Sequence, residues 1–331
     1  MDQTYRTMEK INAKTQRTQQ ENHRVAHFFE LRINELQKSG HTRTAEIYLS
    51  SYRSFARFLT ESAATDNGKT QSLSPSDIAF SQIDAYLIKC YEQYLLQQRN
   101  LCKNTVSFYL RTLRAVCNVA TESGLDGCPR PFRHVYTGIA PTEKRAIPIH
   151  AIRQLKTLDF HGKPSYERAR DFFLFSFYTR GMPFVDMAYL KKSNLRNNIL
   201  QYKRKKNGQA LSIGWEECMQ DILDKHPASP DSPYLLPIIQ EKGNERKQYR
   251  NALFLTNFYL KLIGQALNLP FPLTTYCARH SWATAARNQN IPVSIISECL
   301  GHDSEKTTRI YLASLDTAIV DEANRKVLEL L

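Results

Sequence analysis

Two nearby stretches, TTYCARHSWATAARNQNIP (residues 274–292) and SECLGHDSEKTTRIYLAS (297–314), decide how this chain is read. In the first, Arg279 and His280 open an amphipathic helix, at the end where exposed N–H groups and the helix dipole favour an anion. In the second, Gly301 ends one helix and Asp303 or Ser304 can cap the next. His302 then sits at a junction, and Tyr311 lies about two turns into a short helix. Taken singly, such a tyrosine, histidine or arginine is usually packed, capping or paired. Together these neighbouring elements offer cations, an imidazole and a phenol, a set suited to an anion.

The rest of the chain says which anion. At 331 residues, 42% hydrophobic and 11% aromatic, it has enough apolar material for two domains with separate cores. The formal charge of +13 favours a polyanionic partner, nucleic acid being the usual one, and the excess is spread over both halves. Seven cysteines without C-x-x-C or metal-finger spacing predict reduced thiols in a cytosol. The N-terminus has no apolar signal region, and no window approaches 18 uninterrupted apolar residues, so a cytoplasmic protein without a membrane partner is expected.

Hydrophobic periodicity divides the chain. Residues 1–20 are polar and read as a flexible tail. From 21 to 126 the pattern is helical, with a first helix stopping at Gly40, a second carrying Ile47, Tyr48, Tyr52, Phe55 and Phe58, and a third near Asp84–Gln98. The fourth, KNTVSFYLRTLRAVCNVATESG, has Asn104 or Thr105 as its cap and Gly124 as its stop. Residues 127–148, rich in Pro and Gly, read as a linker. Beyond it, helices near Ile149–Thr157 and Glu167–Thr179 precede NNILQYKRKKNGQALSI (197–213), where Asn207–Gly208 joins two strands as a hairpin. Trp282 and Ala283 fit an apolar core face, and Glu216 and Glu217, with no second acidic cluster, are read as solvated.

With these residues in place, the chain resembles the tyrosine recombinase (phage integrase) family. That family's signature runs H-x-L-R-H, then L-G-H, then a tyrosine nine residues on; here Tyr276–His280, Leu300–His302 and Tyr311 occupy those places. The resemblance implies a mainly α, two-domain fold. A helical core-binding, SAM-like bundle (21–126) is followed by a mixed α/β catalytic domain (149–315) with a small β-hairpin, and then by a C-terminal helix (316–331) that docks on a neighbouring protomer or packs on its own domain. It also implies that Tyr311 attacks a DNA phosphodiester to give a 3′-phosphotyrosyl link, without metal or cofactor. Arg279 clamps the phosphate, and His302 is a further phosphate ligand or proton carrier. A hairpin lysine, Lys206 with Lys205 as second choice, protonates the leaving 5′-oxygen. Lys205, His280, Lys103 and Arg111 are expected to contact DNA.

Two departures from the family pattern stand out. Tyr276 replaces a common histidine and can still donate one hydrogen bond. In SFYTRGMPFVDMAYL (176–190), laying Gly181–Met182 on the family's T-G-L-R-x-x-E-L puts Pro183 where its arginine belongs. Arg180 is the nearest replacement, as in a subgroup similar to DNA invertases and mobile-element integrases; Asp186 either orients it or neutralises it in a structural pair. The implied partners are double-stranded DNA with inverted-repeat core sites, a homotetramer on that DNA, and accessory DNA-bending proteins, in a nucleoid-associated setting. A strand-resealing topoisomerase and a DNA-binding protein without catalysis are the alternative readings.

Overall fold

The computed structural model describes residues 24–65, 78–124, 130–142, 145–312, and 325, 328 and 329. The chain forms two compact units, Met1–Thr142 and Glu143–Leu331. The expected tail 1–20 lies outside the described residues, as does all but three positions of the expected helix 316–331.

In the first unit the helices are α1 (Val25–Lys38), α2 (Thr42–Thr65), α3 (Ala85–Gln93) running on into one π turn (Tyr94–Gln98), and α4 (Lys103–Glu122). Asp84 caps α3 by accepting the Leu87 N–H at 2.7 Å. On α4, Val106, Leu110, Leu113, Val116 and Ala120 recur every three or four residues and are all buried, against Phe29, Phe55, Phe58 and Tyr91. The phenols of Tyr91 and Tyr94 reach Ser54 (2.9 Å) and Glu61 (2.7 Å), so the aromatic core leaves neither hydroxyl without a partner.

The cap of α4 differs from expectation. Cys102 holds the N-cap position, and Asn104 is committed elsewhere: its amide donates to Ala140 O (2.9 Å) and accepts from Ala140 N (2.7 Å). Ser107 adds a bond to Gly138 O, and buried Glu92 receives the Tyr136 N–H at 2.9 Å. Residues within the segment read as a linker, 127–148, are thus fastened to α3 and α4 through residue 140. Ile147, near its other end, is buried in the second unit, its N–H donated to Ser281 Oγ at 2.8 Å.

The second unit is built around α6 (Pro164–Tyr178). Ala169 to Ser176 are buried without a break, because α6 packs against α9 (Glu245–Ala266) and α10 (Thr275–Asn288) and is also touched by α5 (Ile149–Thr157) and α8 (Glu217–Lys225). The one-turn helix α7 (Phe184–Ala188) leads into an antiparallel sheet of β1 (Leu195–Arg196), β2 (Ile199–Lys203) and β3 (Ala210–Gly214). Register pairs Leu200 with Ile213 and Tyr202 with Leu211, and period-two alternation buries Leu200, Tyr202 and Ile213. The hairpin is looser than a two-residue turn. Only Gly208 has a positive φ (+74°), whereas a type I′ Asn-Gly turn needs two such residues, and the loop 204–209 closes through Arg204 N–H to Gln209 O at 2.9 Å. Two short helices, α11 (Val293–Leu300) and α12 (Glu305–Tyr311), follow.

Asn104→Ala removes both bonds to Ala140 and leaves two backbone groups partly buried without partners. It is expected to lower the stability of the first unit by about 1–3 kcal/mol, read as thermal or urea unfolding of the full chain; an unchanged midpoint would mean that the 130–142 segment is not held by this side chain.

Candidate active site

Helix α6 stops in a Schellman motif: Gly181 N–H bonds Ser176 O at 2.8 Å and Arg180 N–H bonds Phe177 O at 3.2 Å. Arg180 occupies the left-handed position of that motif, at φ +60°, a place usually taken by glycine because a Cβ there costs about 1–2 kcal/mol. Its guanidinium donates to Ser212 O on β3 at 3.3 Å. The following Gly181 has φ +71°, and a Cβ on it would lie 2.7 Å from the Cα of Arg279, so only glycine lets the turn rest on α10. Pro183, where the family's arginine is expected, is instead the N-cap of α7.

Asp186, on α7, is buried at 4% exposure, and its carboxylate accepts the Lys205 N–H at 2.8 Å and faces Arg204 Nε at 3.5 Å. Burial raises its pKa, opposed by the Lys205 N–H and the Arg204 and Arg279 charges. The ion-pair partner of Asp186 is therefore Arg204. The expectation that Asp186 either orients Arg180 or neutralises it is corrected: its two oxygens are turned to the hairpin.

Arg279 is 3% exposed. One Nη donates to Gly181 O at 3.0 Å; the other reaches Leu300 O at 2.5 Å and His302 Nε2 at 3.0 Å. His302 follows a second Schellman motif, in which Gly301 (φ +61°) ends α11 and the His302 N–H bonds Ser297 O at 3.0 Å. A guanidinium carries donors only, so Nε2 must accept; the ring proton then sits on Nδ1 and goes to the Thr308 hydroxyl at 2.7 Å. Burial first, then the charges of Arg279, Arg204 and Lys206, pushes His302 down to about 4. The ring is neutral at neutral pH, with its tautomer fixed from both sides.

Arg204 was missed by sequence reading. Its guanidinium donates to Leu300 O (3.1 Å) and Gly301 O (2.6 Å) at 8% exposure. The signal was present, because Leu200, Tyr202 and Arg204 share the inward parity of β2. On the loop beyond, Lys205 and Lys206 turn to different neighbours. Lys205 Nζ lies 4.0 Å from the Tyr189 ring centroid, and the Lys206 charge is one of those depressing His302.

Tyr276 is half exposed on the first turn of α10, its ring edge-on to His280 with centroids 4.9 Å apart. His280, expected to contact DNA, is 7% exposed and lies against the Tyr276 ring. In the first unit, Lys103 is exposed with Nζ 4.3 Å above Tyr136, and Arg111 is half-buried on α4. Tyr311 is the last residue of α12, and its side chain lies outside the described residues. The helix bearing it is held by fully buried Thr308 and by Leu312, which packs with Ala283, Ala286, Ile296 and Leu300.

Residues 24–125 match the phage integrase SAM-like domain, and residues 153–318 match the phage integrase family. The chain belongs to the phage integrase family of tyrosine recombinases. As a member it is a tyrosine site-specific recombinase acting on DNA. It is 24% identical over 297 residues to tyrosine recombinase XerC of Syntrophus aciditrophicus (strain SB), covering 85% of this chain and 90% of the relative. Its fold is similar to that of the Tn1549 transposon integrase in complex with a circular intermediate DNA, with TM-score 0.60 and 13% identity over 93% of this chain and 100% of the other. A lambda integrase dimer bound to a COC′ core site gives TM-score 0.58 and 15% identity over 86% and 75%. The mainly α, two-part recombinase architecture with its small sheet is thus the fold of this integrase. Among the described residues no helix is long and apolar enough to cross a membrane.

The depressed His302 makes a signed prediction. Unfolded, the imidazole titrates near 6.5; folded, near 4, so between these values the unfolded state binds the extra proton. Stability is unaffected above about pH 6.5, falls as pH drops through the window, and the loss is complete below about 4, amounting to about 3 kcal/mol at most and less as solvent screens the partly exposed ring. His302→Gln should flatten this part of the stability profile relative to the parent; parallel profiles for the two proteins would place the imidazole in solvent.

Proposed function

We propose that this recombinase cuts DNA by attack of the Tyr311 oxygen on a phosphodiester, with Arg279, Arg180, His302 and Lys206 around the phosphate. The observation that carries the reading is the Arg279–His302 contact, 3.0 Å between Nη2 and Nε2, on the junction from which α12 leads to Tyr311. In the step, a bond forms between the tyrosine oxygen and phosphorus while the bond from phosphorus to the 5′-oxygen breaks. The phenol's proton passes to His302 Nε2, whose lone pair is released as Arg279 turns that N–H from the imidazole to the phosphate, and the Lys206 ammonium gives a proton to the departing 5′-oxygen. Arg279 and Arg180 donate to the nonbridging oxygens, whose charge grows in the transition state. Tyr276, supported by His280, adds a neutral donor at the open edge of α10.

Because the phosphotyrosyl link retains the bond energy, a 5′-hydroxyl from another strand reverses the step, and strand exchange needs no external energy source. We place four protomers on two inverted-repeat core sites, exchanging strands in pairs, in an invertase or mobile-element integrase. The likeness to a transposon integrase and the displaced arginine support this narrower reading. Lys103 and Arg111 on α4, with Lys205 on the hairpin, hold the DNA backbone.

Tyr311→Phe should retain binding to the site and form no covalent adduct on a nicked suicide substrate; an adduct at parental level would remove Tyr311 from the mechanism. For Arg180 the backbone supplies a sharper test than alanine. Arg180→Gly suits φ +60° and should leave the protein as stable as the parent or more stable by about 1 kcal/mol, while cleavage falls by the roughly 3 kcal/mol typical of one preorganised donor. Normal cleavage by a folded Arg180→Gly protein would show that the phosphate does without this arginine.

A further inference from the structure

We infer that Arg204 is a positioning residue for strand cleavage: with Asn207 it pins the loop carrying Lys206 to the junction carrying His302, so that the two groups meet the phosphate as one body. The inference rests on the reading of Lys206 as the general acid. Its basis is the order in which the contacts fall along both segments. Arg204 donates to the carbonyls of Leu300 and Gly301, and Asn207 Nδ2 donates to Asp303 Oδ1 at 2.6 Å and to Gly301 O at 3.4 Å. On the loop the two pins bracket Lys205 and Lys206; on the junction their acceptors bracket His302.

The pins are specific to these residues. A Cβ on Gly301 would lie 2.8 Å from Arg204 Cδ and 3.0 Å from Leu211 Cδ1, so the junction gives up a side chain to admit the guanidinium. Asp186 compensates the buried charge from the other side, at 3.5 Å, in an ion pair whose Nε and Oδ2 make no hydrogen bond. Replacing both members of the pair by apolar side chains of similar size would fill this space without burying two charges, and such replacement is often neutral or favourable for stability, whereas removing Arg204 alone leaves Asp186 without its counter-charge. What an apolar side chain cannot do is hold two successive carbonyls of α11. Arg204 Nη1 donates to both carbonyls while Nε faces Asp186, and the direction so set fixes where the next two residues of the loop lie.

The test separates acid placement from general support of the fold. Cleavage is measured on an ordinary phosphodiester and on a substrate whose 5′-bridging oxygen is sulfur; a thiolate leaves without needing a proton because a thiol is far more acidic than an alcohol. Lys206→Ala should be slow on the oxygen substrate and largely restored on the sulfur one. Arg204→Met should bind DNA as the parent does, lose about 10²-fold or more on oxygen, and regain at least about tenfold of that on sulfur. Asn207→Ala, a change in an exposed side chain, should show a smaller loss with the same restoration, and it decides the matter if Arg204→Met does not fold. Equal losses on both substrates for the pin variants, beside a restored Lys206→Ala, would overturn the positioning role alone. An unrestored Lys206→Ala would overturn the acid assignment and the inference with it.

Discussion

The carbonyl at the end of α11 is where the catalytic unit converges. Leu300 O accepts from both Arg204 and Arg279, and it belongs to the helix end where unsatisfied carbonyls concentrate negative charge. Each bond to a charged donor is worth about 1.5–3 kcal/mol, and an uncompensated buried guanidinium costs more than the bond supplies. The helix end therefore joins two arginines through one shared acceptor. Arg279 carries the constraint to Gly181 and the turn bearing Arg180; Arg204 carries it to Asp186 and the loop bearing Lys206. His302, the second residue past Leu300, takes its position from both.

This arrangement concentrates cations faster than it neutralises them. Arg279, Arg204, Arg180 and Lys206 gather near a single buried carboxylate, Asp186, whose oxygens are already turned to Arg204 and the Lys205 N–H. At an effective dielectric of about 20, two unit charges 4 Å apart interact by about 4 kcal/mol, which sets the scale on which neighbouring cations oppose one another. The imidazole registers it: burial and three cations together hold His302 near 4. A phosphate monoanion entering this field offsets the cations' share of that shift, though not the larger share due to burial, so in the proposed mechanism His302 becomes a better base as the substrate arrives. The same positive excess, extended over the whole chain, favours approach to a polyanion.

How much of this was legible in the sequence depends on the range of the interaction responsible. Helices announced by local periodicity, such as α4 with Leu110 and Leu113 or α5 at Ile149–Thr157, stand where they were expected. Cap assignments fared less well, because Asn104 serves a partner 36 residues away, which no local rule detects. The hairpin was visible in Asn207–Gly208, but its tightness was not, since Asn207 is drawn to Asp303 instead of forming a two-residue turn. Arg204 was overlooked for a different reason. Within KRKKNG it looks like one more surface cation, and only its parity with Leu200 and Tyr202 marks it as inward. Arg279 and His302, singled out by their resemblance to the family's motifs, lie 23 residues apart and meet at 3.0 Å.

The turn after α6 explains how an arginine can be displaced without losing its neighbourhood. The family's motif sets its arginine two residues after the glycine; in this chain that position is Pro183, which starts α7 and has no cation to offer. What remains fixed is Gly181, pressed to within 2.7 Å of the Arg279 backbone at the point a Cβ would occupy. Any residue flanking that glycine is carried to Arg279. Arg180 flanks it from the other side, and the Schellman motif that closes α6 holds it there in a left-handed conformation that a side chain adopts only at a cost of about 1–2 kcal/mol. Glycine would satisfy the backbone better and supply nothing to a phosphate. A strained arginine at a position where helix termination alone calls for glycine is best accounted for by what its guanidinium does, and in the proposed mechanism that is to complete the clamp begun by Arg279.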